Sequence, residues 1–229
     1  MNSFLQWLMG VVERMIYVLP AIIIALTFHE YAHARVAYAF GDSTAKDAGR
    51  LSLNPFRHLD LVGTLFLVFA GFGWAKPVPV NLYNIGGNRK KKMLAISVAG
   101  PIANLLQALL GMGLLALIIK FLLPLNNFEY WLLEFLSFFV QINIVLAVFN
   151  LIPIPPLDGS KILAGLLPNR FAKAIWALER YGFAILFCIV FLPNILSQFG
   201  LPRIDILGTI ISRPAMWIMN GLASLFGIN

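Results

Sequence analysis

Long apolar segments alternate with short polar connections along this chain, and this alternation predicts its elements. A membrane-spanning helix needs about 20 mainly apolar residues, and several segments reach that length. Glycine and proline in the connections end helices. The pattern predicts an all-α polytopic membrane protein with helices over about 15–40, 93–123, 131–151 and 174–196, and a fifth segment over 206–226 that either spans the membrane or lies at its surface.

One apolar segment, residues 59–74, is too short to cross and contains Gly63, Gly71 and Gly73. Basic residues flank it on both sides, and short cytoplasmic loops carry an excess of lysine and arginine. It therefore reads as a re-entrant hairpin. Pro77 and Pro79 among valines predict an extended segment after it. With the hairpin, the chain has about five to six transmembrane or membrane-embedded segments.

Composition agrees with this pattern. The chain is 60% hydrophobic and 12% charged, against about 45–50% and about 25% in soluble domains. The net charge of +7 does not indicate nucleic-acid binding, because the basic residues lie in short connections rather than on one helical face. The single cysteine, Cys188, excludes an intramolecular disulfide and a thiolate metal cluster.

The first long helix carries a metal-binding pattern, His29-Glu30-Tyr31-Ala32-His33. Residues four apart share a helix face, so both imidazoles can bind one zinc ion with Glu30 beside it. Zinc lowers the pKa of bound water to about 7, and a neighbouring carboxylate can accept its proton. Ionisable residues inside a membrane helix are costly and mark functional sites.

A catalytic zinc site usually has three protein ligands and one open position. Asp158 is the best third ligand, because it ends the helix-breaking run Pro153 to Gly159 on the same predicted side as His33. The basic connections place that side in the cytoplasm. The other candidates are His58, Asp42, Asp47 and Asp60.

These motifs resemble those of the site-2 protease family of intramembrane zinc metalloproteases. The family's second motif runs Asn, Pro, Asp, Gly, and it is matched by Asn150, Pro153, Asp158 and Gly159. The segment 99–104, Ala-Gly-Pro-Ile-Ala-Asn, also resembles a Gly-Pro segment of the family. The resemblance covers about residues 21–164 and is closest to compact bacterial and archaeal members without a PDZ domain.

The resemblance implies that His29, His33 and Asp158 hold one Zn²⁺ per chain and that Glu30 is the general base. It implies that Asn150 points into the site, to stabilise an oxyanion or to position substrate. It also implies one integral-membrane domain over 1–229, with a catalytic core over about 15–165 and C-terminal membrane segments over 174–226. The partners would be transmembrane protein substrates and the lipid bilayer, in a multi-pass cell-membrane protein.

Several alternatives stay open at this stage. Asn143 and Asn150 share a helix face, and hydrogen bonding between helices is the simpler role for both. His58 either holds its loop or supports the metal site from outside. A membrane zinc transporter or a catalytically silent scaffold is the alternative function. The hairpin, over about 61–80, is the candidate for selecting substrate by strand pairing.

Overall fold

The computed structural model describes residues 3–70, 72–122, 126–200, 202 and 205–228. Helices account for most of this part of the chain, and no β-strand is formed within it. In chain order the helices are α1 (Ser3–Ala39), α2 (Thr44–Asp47), α3 (Leu61–Ala70), α4 (Arg89–Phe121), α5 (Asn127–Asn150), α6 (Asp158–Leu166), α7 (Asn169–Glu179), α8 (Gly182–Gln198) and α9 (Ile206–Leu225).

The first helix is longer than its apolar pattern predicts. The sequence predicts a start near Met15, whereas α1 begins at Ser3. Glutamate and arginine are good helix formers, so Glu13 and Arg14 do not break it. Pro20 lies well inside this helix.

The centre of the fold is a bundle of α1, α4 and α5. The ring of Tyr17, in the first half of α1, lies 6.1 Å from Trp131 and 6.3 Å from Phe138 in α5. These two helices therefore run parallel, and α4 runs against both. The apolar half of the bundle buries Ala108, Met112, Leu115, Ile118, Leu136, Val140, Ile144 and Val148.

Three described helices are long and apolar enough to cross a membrane: α1, α4 and α5. The prediction of one further helix over 174–196 needs correction, because the chain forms α7 and α8 with a bend of 68° between them. If this bent pair counts as one span, the number rises to four. Gly182 begins α8 at a close approach, since a Cβ there would lie 2.8 Å from the backbone nitrogen of Pro156.

Helix α9 is not among these three, yet it runs between the two ends of the bundle. Near its start, Leu207 packs with Ile152 and Leu186. Beyond its end, the carbonyl of Phe226 accepts a 2.6 Å hydrogen bond from Lys120 at the far end of α4. Its 20 residues have a length of about 30 Å, which matches the hydrocarbon core.

The predicted hairpin is present. Helix α3 has 10 residues, about 15 Å, which is too short to span. The chain then returns in extended form, with a single bridge between Leu59 and Ala75. A Cβ on Gly63 would lie 2.2 Å from the carbonyl oxygen of Trp74, so the limbs touch. Gly71 lies outside the described residues.

Two buried charged side chains fix the loops that lie between α1 and α4. The guanidinium of Arg50 donates to the carbonyls of Arg57, Lys76 and Pro77. The carboxylate of Asp42 accepts hydrogen bonds from Thr44, from the backbone nitrogen of Asn81 at 2.7 Å and from the Asn84 side chain at 3.1 Å. Burial alone would raise the pKa of Asp42, but these hydrogen bonds outweigh it and lower that pKa.

Candidate metal centre

Two helices bring three potential ligands together. His29 and His33 lie one turn apart on α1, and Asp158 is the first residue of α6. The two Nε2 atoms are 3.0 Å apart, and Asp158 Oδ2 lies 3.2 Å from that of His29 and 3.1 Å from that of His33. All three residues are buried. The structure thus brings together the three residues that the sequence offers as metal ligands.

Helix α4 supports the two imidazoles from behind. His33 Nδ1 lies 2.7 Å from the carbonyl oxygen of Ile96. A carbonyl only accepts, so Nδ1 is the donor and Nε2 of neutral His33 keeps a free lone pair. Gly100 lets α4 come this close, because a Cβ there would lie 2.4 Å from His33 Nε2 and 2.5 Å from His29 Cε1.

A tight turn holds Asp158. The chain leaves α5 at Asn150 and folds back so closely that a Cβ on Gly159 would lie 2.3 Å from the carbonyl oxygen of Leu151. Asp158 Oδ2 therefore faces both Nε2 atoms within 3.2 Å. An ionised carboxylate is the form of this side chain that binds a metal ion.

The donor set fits zinc. Two imidazole nitrogens and one carboxylate oxygen leave a fourth position open, as catalytic zinc sites require. Tetrahedral bonds of about 2.0–2.1 Å separate ligand atoms by about 3.3 Å, and the separations here are 3.0–3.2 Å. Across the described part of the chain, no second group of histidine, cysteine or acidic side chains is arranged to hold a metal ion. A transport pathway would need binding residues distributed along several helices.

Glu30 lies beside these ligands on the wall of a cavity of about 470 Å³. Its Oε2 accepts a hydrogen bond of 3.0 Å from the backbone nitrogen of Val78. The extended limb of the hairpin, residues 72–80, forms much of the same wall. The proposed base, the ligands and the hairpin therefore share one cavity.

The other predicted residues lie in different surroundings. Asn150 lines the cavity, and its Nδ2 donates to the carbonyl of Leu146 at 3.0 Å. Asn143 is buried between helices, where its Oδ1 accepts from Asn104 of α4 at 2.9 Å. His58 is buried in its own loop, with Nε2 2.7 Å from the carbonyl oxygen of Ser52.

Three contacts with the site were not predicted from the sequence. Asn104 Oδ1 lies 2.6 Å from His29 Nδ1, Val78 bonds to Glu30, and Arg50 holds the carbonyl of Pro77 next to it. Residue spacing predicts neighbours only within one element, and these contacts join separate ones. For Asn104 the sequence offers two signals: an asparagine within an apolar helix, and its place at the end of the segment 99–104 that resembles the family.

Known proteins resemble the chain over most of its length. It is 43% identical over 206 residues to "Putative zinc metalloprotease YwhC" of Bacillus subtilis, covering 90% of this chain and 92% of that protein. It is 31% identical over 183 residues to "Putative zinc metalloprotease Rip2" of Mycolicibacterium smegmatis, covering 78% and 68%. It is 26% identical over 148 residues to "Zinc metalloprotease MJ0392" of Methanocaldococcus jannaschii, covering 65% and 33%.

The sequence model of peptidase family M50 matches residues 119–192, which include Asn150 and Asp158. No solved structure is similar enough to count as a match. The matches to relatives extend across most of the chain, so they are not confined to this segment. The chain therefore belongs to peptidase family M50, the site-2 protease family of membrane-embedded zinc metalloproteases.

Proposed function

We propose that this intramembrane zinc protease holds its zinc ion through His29, His33 and Asp158 and uses Glu30 as its general base. The observation that carries the proposal is the convergence of three ligand atoms within 3.0–3.2 Å of one another in a buried site. Glu30 follows His29 directly and lines the cavity in which they meet.

Zinc, when bound, supplies a Lewis acid that acidifies water and polarises a peptide carbonyl. Glu30 takes the proton from the attacking water at a carboxylate oxygen and later returns it to the leaving amine. The Asp158 carboxylate would balance part of the positive charge of the bound zinc ion. Asn150 completes the site. One hydrogen of its Nδ2 is donated to the carbonyl of Leu146, and the other hydrogen can be donated to an oxyanion or a substrate carbonyl.

The substrates we propose are transmembrane segments that unwind at the cavity and pair with the extended limb of the hairpin. Residues 76–80 form neither helix nor turn, and Pro77, Val78 and Val80 already line the cavity. An exposed backbone edge binds extended peptides. The backbone nitrogen of Val78 is engaged by Glu30, so Val80→Pro is the cleaner test. If cleavage by Val80→Pro equals that of the unaltered protein, strand pairing at this edge is wrong.

The deciding experiment measures zinc content and cleavage of single-span membrane proteins by the detergent-purified chain. Glu30→Gln should lower cleavage by about 100-fold or more, because general-base catalysis contributes about 10²–10⁴, and it should retain zinc. Asp158→Ala should lose both. Asp47→Ala is the matched control, since this carboxylate lies outside the cavity and bonds only locally to Ser43 among its described partners.

Either of two results would contradict the proposal. Cleavage by Glu30→Gln at the unaltered rate would remove Glu30 as the base. Stoichiometric zinc in Asp158→Ala, with an affinity equal to that of the unaltered protein, would remove Asp158 from the ligand set.

We also propose that the site opens toward the cytoplasm. At the end of the bundle that holds the proposed ligands, basic residues lie in the connections or in the first turn of the next helix: Arg50, Lys76, Lys90 and Arg170. Lys120 lies at the other end. In a Cys188→Ser background, Asn169→Cys should react with a membrane-impermeant thiol reagent only from the cytoplasmic face, and Asn127→Cys only from the opposite face. The reverse pattern would invert the topology.

A further inference from the structure

A buried amide on α4 lies directly behind one of the proposed zinc ligands. Asn104 is fully buried, and its Oδ1 lies 2.6 Å from Nδ1 of His29. Neither an apolar span nor the apolar half of the bundle requires an amide at this position. Its role must therefore be inferred from its hydrogen bonds.

Those contacts fix which way the amide points. Asn104 Nδ2 donates to the carbonyl of Ala25 at 3.3 Å and to Oδ1 of Asn143 at 2.9 Å. The Asn143 amide is itself oriented, because its Nδ2 donates to the carbonyl of Phe139 at 2.8 Å. Backbone carbonyls only accept, so both amide nitrogens must face them. Both hydrogens of Asn104 are then in use.

Only Oδ1 of Asn104 remains to face His29, and an oxygen with no hydrogen can only accept. His29 must therefore donate from Nδ1. In the neutral imidazole this places the lone pair on Nε2, the atom that faces His33 Nε2 and Asp158 Oδ2 at 3.0 and 3.2 Å. Such partners orient metal-binding histidines and select their tautomer.

We propose that Asn104, oriented by Asn143 and the carbonyl of Ala25, is a positioning residue that sets the tautomer and ring orientation of His29 for zinc binding. This inference rests on the zinc site proposed above. Helix α4 then orients both proposed histidine ligands: the Asn104 side chain orients His29, and the backbone carbonyl of Ile96 orients His33.

Chelator competition for zinc by the detergent-purified full chain tests the inference. Asn104→Leu should weaken zinc affinity by about 10–100-fold, the usual effect of removing such a partner. Asn104→Asp should restore most of it, because a carboxylate also accepts from Nδ1. Gln107→Leu is the matched control: Gln107 lies one turn further along α4 and contacts the same carbonyl of Ala25, at 3.5 Å.

A second measurement needs no substitution. With three histidines in the chain, nitrogen-15 histidine labelling gives a resolvable spectrum, and His29 of the chelator-treated protein should carry its proton on Nδ1. If Asn104→Leu fails to fold, this measurement still tests whether His29 has the tautomer that Asn104 would select.

Three results would overturn the inference: zinc affinity in folded Asn104→Leu equal to that of the unaltered protein, an equal loss in Gln107→Leu, or a His29 proton on Nε2. Failure of the unaltered protein to bind zinc would instead overturn the proposed zinc site.

Discussion

The two halves of α4 bury side chains of different chemistry and pack against different helices. The half that begins at Arg89 buries Ser97, Asn104 and Gln107 and faces the histidines of α1 across Gly100. The half that ends at Phe121 buries only apolar side chains against α5 and α9. In lipid, apolar contact between helices carries no hydrophobic driving force. Close packing therefore holds the second half together, whereas hydrogen bonds of defined direction fix the first.

We call the half of α4 that begins at Arg89 the polar half and the half that ends at Phe121 the apolar half. The largest expected effect comes from placing a methyl group in the polar half. Gly100→Ala would put a Cβ 2.4 Å from His33 Nε2 and 2.6 Å from His29 Nε2. Both rings would have to move, so we expect zinc affinity to fall by about 100-fold or more, at least the effect of losing a supporting contact. Chelator competition measures this. Unchanged affinity in a folded variant would mean that α4 does not press on the ligands.

A cavity in the apolar half should separate stability from metal binding. Ile144 is buried in the cluster between α4 and α5. Ile144→Ala should lower the free energy of unfolding by about 2–4 kcal/mol through lost contacts and the residual cavity. Zinc affinity of the folded protein should not change. If zinc affinity fell with stability, the two halves would not be independent.

The loops at the site end extend the polar half beyond the helices. Hydrogen bonds to the charged form lower the pKa of Asp42, so this carboxylate stabilises the fold above its unfolded pKa of about 3.9. That contribution is lost as pH falls through the lower, folded pKa.

Asp42→Asn should therefore cost about 1–2 kcal/mol at pH 7, since hydrogen bonds to charged groups contribute about 1.5–3 kcal/mol and the amide keeps one acceptor. The difference from the unaltered protein should shrink below about pH 4. Thermal unfolding in detergent at several pH values measures it, with Asp47→Asn as the exposed control. A difference independent of pH would contradict the charge-based explanation.

The smallest effect is the counterpart of the first substitution. A Cβ on Gly111, in the apolar half, would lie 2.9 Å from Val140 Cγ2 and 3.0 Å from Phe139 Cδ1, both of them side-chain atoms. Gly111→Ala should change the free energy of unfolding by about 1 kcal/mol or less, because the gain in helix propensity offsets part of the strain. Zinc affinity should stay constant. A loss comparable to that of Gly100→Ala would erase the contrast between the halves.

The same contrast explains what the sequence could predict. Apolar length predicted the helices, and the four-residue spacing placed His29 and His33 on one face, because both signals are local. Asp158 could be predicted as a ligand because a run of prolines ends the helix before it. The break between α7 and α8 is not predicted. It lies beside Gly182, which packs closely against Pro156, a residue more than 20 positions away in the chain. Asn104 and Val78 act through contacts with α1 that no local pattern encodes.

The depth of the site follows from the ends of α4. Gly100 lies eight residues beyond Lys92 and twenty before Lys120, or about 12 Å and about 30 Å along the axis. A substrate helix lying beside α4 and cut at the level of Gly100 would be divided unequally. The shorter product would keep about eight apolar residues in the bilayer, too few to anchor it, and it would leave on the basic side. The longer product would keep enough of its span to remain in the membrane.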